Sequence, residues 1–399
     1  MSANAGTAPE LRRLLAARGL RAFVDGYVAI LLPAYLLALG YDLWHVGLLS
    51  TATLLGSALA TLALGAWGHH RSPRFLLLGA ALLMAATGLG FAGLSGFWPL
   101  LLVAFVGTLN PSAGDVSVFL PLEHARLALA AEGEGRTRIF ARYSLTGALC
   151  AAFGALAAGV PDALAGMGVD RLAALRLMFV AYGVVGLLIW AIYARMPRQP
   201  ALGPAVAPAP LGPSRLIVVR LAALFSLDSF AGGLVVNSLL ALWLFERFGL
   251  SLTAAGAFFF WAGLLGALSQ LAAPRVARRF GLLNTMVFTH IPASLFLILA
   301  AFATQLGLAL ALLLMRAALS QMDVPARSAY VMSVVTPPER AAAASFTAVP
   351  RSLAAALSPT LGGLLFAGGW FAAPLVACGC LKIAYDLMLW RSFRRQAVE

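Results

Sequence analysis

The chain has 399 residues, of which 61% are hydrophobic and only 11% charged, whereas an ordinary soluble domain is about 25% charged. That balance excludes a soluble globular protein and points to a polytopic membrane protein. The formal net charge of +13 fits basic residues gathered in loops on one side of a membrane, so no nucleic-acid partner is expected.

The opening stretch "MSANAGTAPELRRLLAARGL" has no apolar core followed by a small-residue cleavage site, so residues 1–19 read as a cytoplasmic tail. A spanning helix needs about 20 mostly apolar residues. Runs of that kind cover 20–40, 44–66, 75–94, 98–128, 139–160 and 172–194, which together give an N-terminal six-helix bundle over residues 20–194. The segment "RMPRQPALGPAVAPAPLGPSR" then interrupts the pattern; its Pro, Ala and Gly content cannot propagate a helix or build a core, so residues 195–216 read as a cytoplasmic linker. Six further runs, at 217–245, 253–273, 283–301, 307–334, 345–367 and 370–391, form a C-terminal bundle over 217–391, followed by a tail at 392–399. The expected fold is an all-α polytopic membrane protein with twelve transmembrane helices in two pseudo-symmetric six-helix bundles.

Loop charge sets the expected orientation. Arg12, Arg13 and Arg18, the pairs Arg71/Arg74 and Arg136/Arg138, the linker arginines, the trio Arg275, Arg278 and Arg279, and Arg391, Arg394 and Arg395 share one side. The other side has little beyond Arg171 and Arg247, so both termini are expected in the cytoplasm. The halves also resemble each other: "RYSLTGAL" from Arg142 echoes "RSLAAALS" from Arg351, and Asp115 in "GDVS" corresponds to Asp323 in "MDVP". Two related halves suggest alternating access around a site near the bilayer midplane.

The loop "GAWGHHRSPR", Gly65 to Arg74, keeps the glycine and basic residues of a Gly-x-x-x-Asp-Arg/Lys-x-Gly-Arg-Arg signature, with His69 at the acid's place. A second copy, "LAAPRVARRFGLLNT", keeps Arg275, Arg278, Arg279 and Gly281. On these loops and the twelve-run layout, the whole chain resembles the major facilitator superfamily. The runs "RFGLLNTMVFTHIP" and "SQMDVPARSAYVMSVVTPPERAAAA" are similar to a bacterial branch of that family. The resemblance implies a transporter, placed as a multi-pass protein in the bacterial inner membrane.

A charge at the bilayer centre costs on the order of 2.5–3.5 kcal/mol even on insertion scales, so buried charges mark pairs, wet cavities or function. The first run carries Asp25, with Arg21 four residues earlier as an intrahelical partner. The fourth carries Asn110, Asp115, Glu123 and Arg126 between Pro111 and Pro121. The seventh carries Asp228, with Arg220 two turns away and no nearer cation, and Asn237. The tenth carries Arg316, Gln321, Asp323 and Arg327, of which the last two share a face. Asp25, Asp115, Asp228 and Asp323 are therefore the proton-coupling candidates. Asn110, Asn237, Arg316, Gln321 and Arg327 are the candidates to line a substrate cavity. Arg21, Glu123, Arg142 and Arg351 are gating candidates, with Arg142 and Arg351 pairing to Asp115, Glu123 or Asp323. Lys382 and Asp386, four apart in the last run, are expected to neutralise each other.

Cys150, Cys378 and Cys380 lie in apolar runs and read as packing residues; no metal or cofactor is expected. No Gly-x-Ser-x-Gly, paired-Asp metal motif or phosphate-cradling Gly-x-x-x-x-Gly-Lys-Ser/Thr occurs, which leaves a membrane enzyme as a remote alternative. The leading expectation is a monomeric, proton-coupled antiporter exporting a small organic molecule. The alternative is proton-coupled uptake of an anionic metabolite held by Arg316, Arg327 and Arg220.

Overall fold

A computed structural model describes residues 7–112, 117–130, 133–197 and 211–394. Among them every regular element is helical: α1 (Thr7–Ala38), α2 (Leu43–Trp67), α3 (Pro73–Gly93), α4 (Phe97–Val106), α5 (Phe119–Ala130), α6 (Gly133–Leu156), α7 (Val160–Gly166), α8 (Arg171–Ala194), α9 (Arg215–Gly233), α10 (Asn237–Phe248), α11 (Leu252–Phe280), α12 (Leu282–Ala301), α13 (Leu306–Ser320), α14 (Asp323–Val334), α15 (Arg340–Ala367) and α16 (Ala373–Phe393). Ten helical stretches among the described residues are long and apolar enough to cross a membrane, as an environment that leaves no unpaired backbone group requires. The chain is a multi-pass membrane protein.

Three of the apolar runs are broken: the fourth and the tenth at a proline, and the seventh between Gly233 and Asn237 without one. The fourth is not one helix: α4 stops after 10 residues, and α5 begins only at Phe119. A proline ring clashes with the carbonyl four residues before it. For Pro111 that residue is Gly107, which caps α4. The tenth run breaks by the same rule, since Pro325 clashes back onto Gln321, the residue that caps α13. Both proline breaks fall at corresponding places in the two halves of the sequence, the pattern that points to a binding site in repeat-built transporters.

The helices pack into two compact units. One consists of Met1–Asp42, Ala52–Ala205 and Leu250–Phe260, and the other of Leu43–Thr51, Val206–Gly249 and Trp261–Glu399. Lipid is as apolar as leucine, so helices associate through close packing and hydrogen bonds rather than a hydrophobic drive. In the first unit α1 crosses α6 where a Cβ on Gly154 would stand 1.9 Å from the Phe23 carbonyl oxygen and one on Gly26 2.2 Å from that of Ala151. Only glycine permits that approach. In the second unit Val218, Leu221 and Phe225 of α9, Met286 of α12, Tyr330 of α14 and Tyr385 and Leu389 of α16 form a buried cluster beside a set of charged side chains.

Candidate functional site

The second unit gathers its charges around Asp228 of α9. One carboxylate oxygen, Oδ1, accepts from Lys382 Nζ of α16 at 2.6 Å, and the other, Oδ2, from Arg327 Nη2 of α14 at 3.0 Å. Arg327 also donates to Asp323 one turn earlier. Asp323 is the first residue of α14, so its negative charge lies at the positive end of that helix's dipole. The break at Gln321 is what puts a helix N-terminus there.

His290 of α12 extends the network. Its Nδ1 lies 3.0 Å from Asp386 Oδ2 and its Nε2 3.4 Å from Lys382 Nζ. An ammonium can only donate, so Nε2 is the acceptor and Nδ1 carries the proton donated to Asp386. The ring is thus held from both sides, by Asp386 at Nδ1 and by Lys382 at Nε2. Asp386 is fully buried, and Asp228, His290 and Asp323 are nearly so.

The network opens onto a cavity of about 170 Å³ within the second unit, lined by His290, Ser294, Arg316, Gln321, Asp323, Arg327 and Lys382 among others. An apolar cavity of about 150 Å³ accepts benzene, so this one has room for a small organic group. Arg327 and Lys382 are already held by carboxylates. Arg316 is not: it makes no ion pair or hydrogen bond among the described residues. Three carboxylates (Asp228, Asp323, Asp386) balance three cations (Arg316, Arg327, Lys382) over the network, but locally the free positive charge is on the cavity wall.

The first unit treats its charge differently. Arg21 Nη2 of α1 donates to Glu123 Oε2 of α5 at 2.7 Å and also lies 3.2 Å from the Tyr143 hydroxyl. Tyr193 donates to Glu123 Oε1 at 2.6 Å, and Tyr143 donates to Oε2. The guanidinium stacks on Phe119 with 4.4 Å to the ring centroid. Both carboxylate oxygens are satisfied, the Arg21 Nε alone being left without a hydrogen bond, and the ion pair is 2% and 0% exposed. Arg126 is likewise tied to Glu10, at 2.6 Å.

Several expectations are corrected by these contacts. Arg21 does not take Asp25 as its hydrogen-bonded partner, because Glu123 and two tyrosines outcompete an acid on the same helix; Asp25 Oδ1 is left buried without a hydrogen bond. Asp228 is not short of cations, since α14 and α16 each bring one. Lys382 and Asp386 do not neutralise each other but serve Asp228 and His290 respectively. Arg142 and Arg351 are exposed and form no ion pair or hydrogen bond with an acid among the described residues, although Arg351 lies within the field of Asp228 and Asp323; Glu123 and Asp323 are hydrogen-bonded to Arg21 and Arg327. Arg220 is also exposed and does not line the cavity. Asn110 turns its Oδ1 back onto Ser112 N–H at 3.1 Å, and Asn237 begins α10; neither lines this cavity. Gln321 does line it, and accepts from Gln270 at 3.2 Å. Asp115 lies outside the described residues.

Sequence reasoning passed over His290. The signal was present: a histidine at bilayer depth in "NTMVFTHIP" is an intramembrane ionisable group, to be treated as functional by default.

Outside the spans, Glu339 joins the turn before α15 to the start of α9. Its carboxylate accepts from the N–H groups of Gly212 and Ser214 and from the Thr336 hydroxyl at 2.8 Å. Hydrogen bonds from Ser214, Gly212 and Thr336 hold its carboxyl down at about 2, against an ordinary value of 4.5.

Residues 14–322 match the Major Facilitator Superfamily, whose members are transporters and not enzymes. The chain is 24% identical to a yeast protein, "Uncharacterized membrane protein YJR124C" of Saccharomyces cerevisiae, over 95% of this chain and 93% of the yeast one. Two solved structures share the fold. A bacterial homolog of the human lysosomal transporter Spinster, in an inward-facing and occupied conformation, superposes with a TM-score of 0.77 at 16% identity, covering 99% of each chain. A D-xylose–proton symporter gives 0.73 at 16% identity, covering 95% of this chain and 97% of its own.

Proposed function

We propose that this chain, which belongs to the Major Facilitator Superfamily, is a secondary transporter that carries a small organic anion together with protons by alternating access. The observation that carries this reading is the cavity in the second unit, whose wall presents Arg316 without an acid partner beside a buried Asp228–Lys382–His290–Asp386 chain. The shared fold of a D-xylose–proton symporter is compatible with proton coupling, and the substrate class rests on the cavity alone.

The coupling follows from hydrogen-bond inventory. A proton arriving on His290 occupies the Nε2 lone pair that Lys382 uses, so two positive groups then face each other at the cavity wall. An anion entering against Arg316 offsets that added charge. Lys382, released from the imidazole, keeps Asp228 or turns to the anion. Proton and anion therefore stabilise each other's binding, which by linkage is reciprocal. In a bacterial inner membrane with an inward proton gradient, this arrangement drives uptake.

One observation favours the export reading instead. Asp25 has a buried oxygen with no hydrogen-bond partner, a suitable seat for a proton exchanged against a cationic or neutral solute. The two readings separate in proteoliposomes under an imposed inward pH gradient, with a panel of carboxylates, organic phosphates and lipophilic cations. Anion accumulation that disappears in Arg316→Gln supports uptake; proton release during cation movement, lost in Asp25→Asn, would overturn it in favour of export.

A further inference from the structure

A groove unrelated to the charged cavity lies in the first unit between α1 and α6. It has a volume of about 530 Å³ and is lined by Leu11, Arg12 and Leu15 of α1 and by Arg142, Leu145, Thr146 and Leu149 of α6. The two helices run parallel, since Gly19 meets Cys150 and Gly26 meets Ala151 and Ala155, and the groove lies between the first turns of α1 and the middle of α6. The four leucines are half-buried and form its apolar floor, whereas Arg12 and Arg142 are exposed, one on each wall. Neither arginine is engaged by an acid among the described residues.

We infer that this groove binds an anionic phospholipid, with the phosphate between the Arg12 and Arg142 guanidinium groups and an acyl chain along Leu11, Leu15, Leu145 and Leu149. Both halves of the ligand are needed to account for the lining. A soluble anion has no use for a leucine floor, and a neutral apolar molecule has none for a guanidinium on each wall. The position agrees with the chemistry. α1 has 32 residues, about 48 Å at 1.5 Å per residue, and overruns a hydrocarbon core of about 30 Å. Its first turns therefore reach headgroup level, and the loop charges put that end on the cytoplasmic side, where anionic lipids gather and basic clefts between helices hold their headgroups. The cationic walls also release Arg142 from the gating role expected of it, because its charge has a partner in the lipid rather than in an acid of the chain.

The test uses the full-length protein, purified in a mild detergent, with dioleoylphosphatidylglycerol, dioleoylphosphatidylcholine and glycerol 3-phosphate as probes. Bound lipid is counted by native mass spectrometry, and thermal stability is followed alongside. Phosphatidylglycerol should bind about thirtyfold more tightly than phosphatidylcholine, a factor of about five for each arginine near the headgroup. Arg12→Gln or Arg142→Gln should each lose about fivefold of that preference, and the double variant nearly all of it. Both side chains are exposed, so the variants keep the fold, and an unchanged melting temperature without added lipid verifies this. Equal binding of the two lipids, or a preference that survives the double variant, would overturn the inference. Glycerol 3-phosphate stabilising the protein as well as phosphatidylglycerol would overturn it too, by showing a soluble-anion site.

Discussion

The two units each bury an arginine against a carboxylate, yet they finish the job differently. Around Glu123 every acceptor is filled: Arg21, Tyr143 and Tyr193 close on it, Phe119 covers the guanidinium, and the pair is sealed. Around Asp228 the partners are Lys382 and Arg327, each shared with a second acceptor, and the whole set borders a cavity where Arg316 waits without an acid. A buried pair sealed on every side holds helices in place; one that borders a cavity can exchange partners with protons and solute. Buried charge alone does not mark function, whereas buried charge on a cavity wall beside an unpaired cation does.

The comparison breaks most readily at the carboxylates. Glu123→Gln should destabilise the protein by about 3–5 kcal/mol, the cost of leaving a buried guanidinium without its counter-charge. Asp228→Asn leaves Lys382 without its acid but on a cavity wall rather than sealed, and Arg327 keeps Asp323, so it should cost less, about 1–3 kcal/mol. Melting temperatures in detergent check both; equal losses would mean that the two networks are of one kind. Transport should fall to background in Asp228→Asn but persist per folded molecule in Glu123→Gln.

Packing sharpens the contrast at smaller scale. Gly154→Ala drives a methyl into the Phe23 backbone and should cost about 1–3 kcal/mol. Gly266→Ala, whose new methyl meets only the Gln321 side chain at 3.3 Å, should be neutral or stabilise by up to about 1 kcal/mol, as helix propensity favours alanine. A rigid contact in the second unit at Gly266 would show as an equal loss in the two variants.

The smallest effect is at Glu339. Its folded carboxyl titrates at about 2 rather than 4.5, so its stabilising contribution is complete above about pH 4.5 and is lost as pH falls from there toward 2. The stability difference between wild type and Glu339→Gln should hold constant from pH 7 to about 4.5 and shrink below that, as measured by thermal melts across the series.

Helical content was legible in the sequence, but the breaks inside the fourth and tenth runs were not, because a proline does not by itself end a helix: Pro33, Pro274, Pro292, Pro350 and Pro359 all lie inside unbroken ones. The Asp323–Arg327 spacing, one helical turn, was legible too. The same spacing rule misassigned Arg21 to Asp25 and Lys382 to Asp386. Those arginine and lysine side chains reach partners 102 and 154 residues away, and nothing in a local pattern reports which remote helix will face them. His290 was missed for the same reason, since its importance lies in Asp386 and Lys382, 96 and 92 residues distant.

The most direct test is the ratio of protons to anions moved in proteoliposomes under an inward pH gradient, measured with a trapped pH dye and a labelled carboxylate taken from the uptake screen. Wild type, His290→Asn and Glu123→Gln are compared at equal amounts of folded protein. The account predicts that Glu123→Gln keeps the wild-type ratio while His290→Asn moves anion without its proton. A ratio lost in Glu123→Gln and preserved in His290→Asn would contradict it, and would place coupling in the sealed network of the first unit.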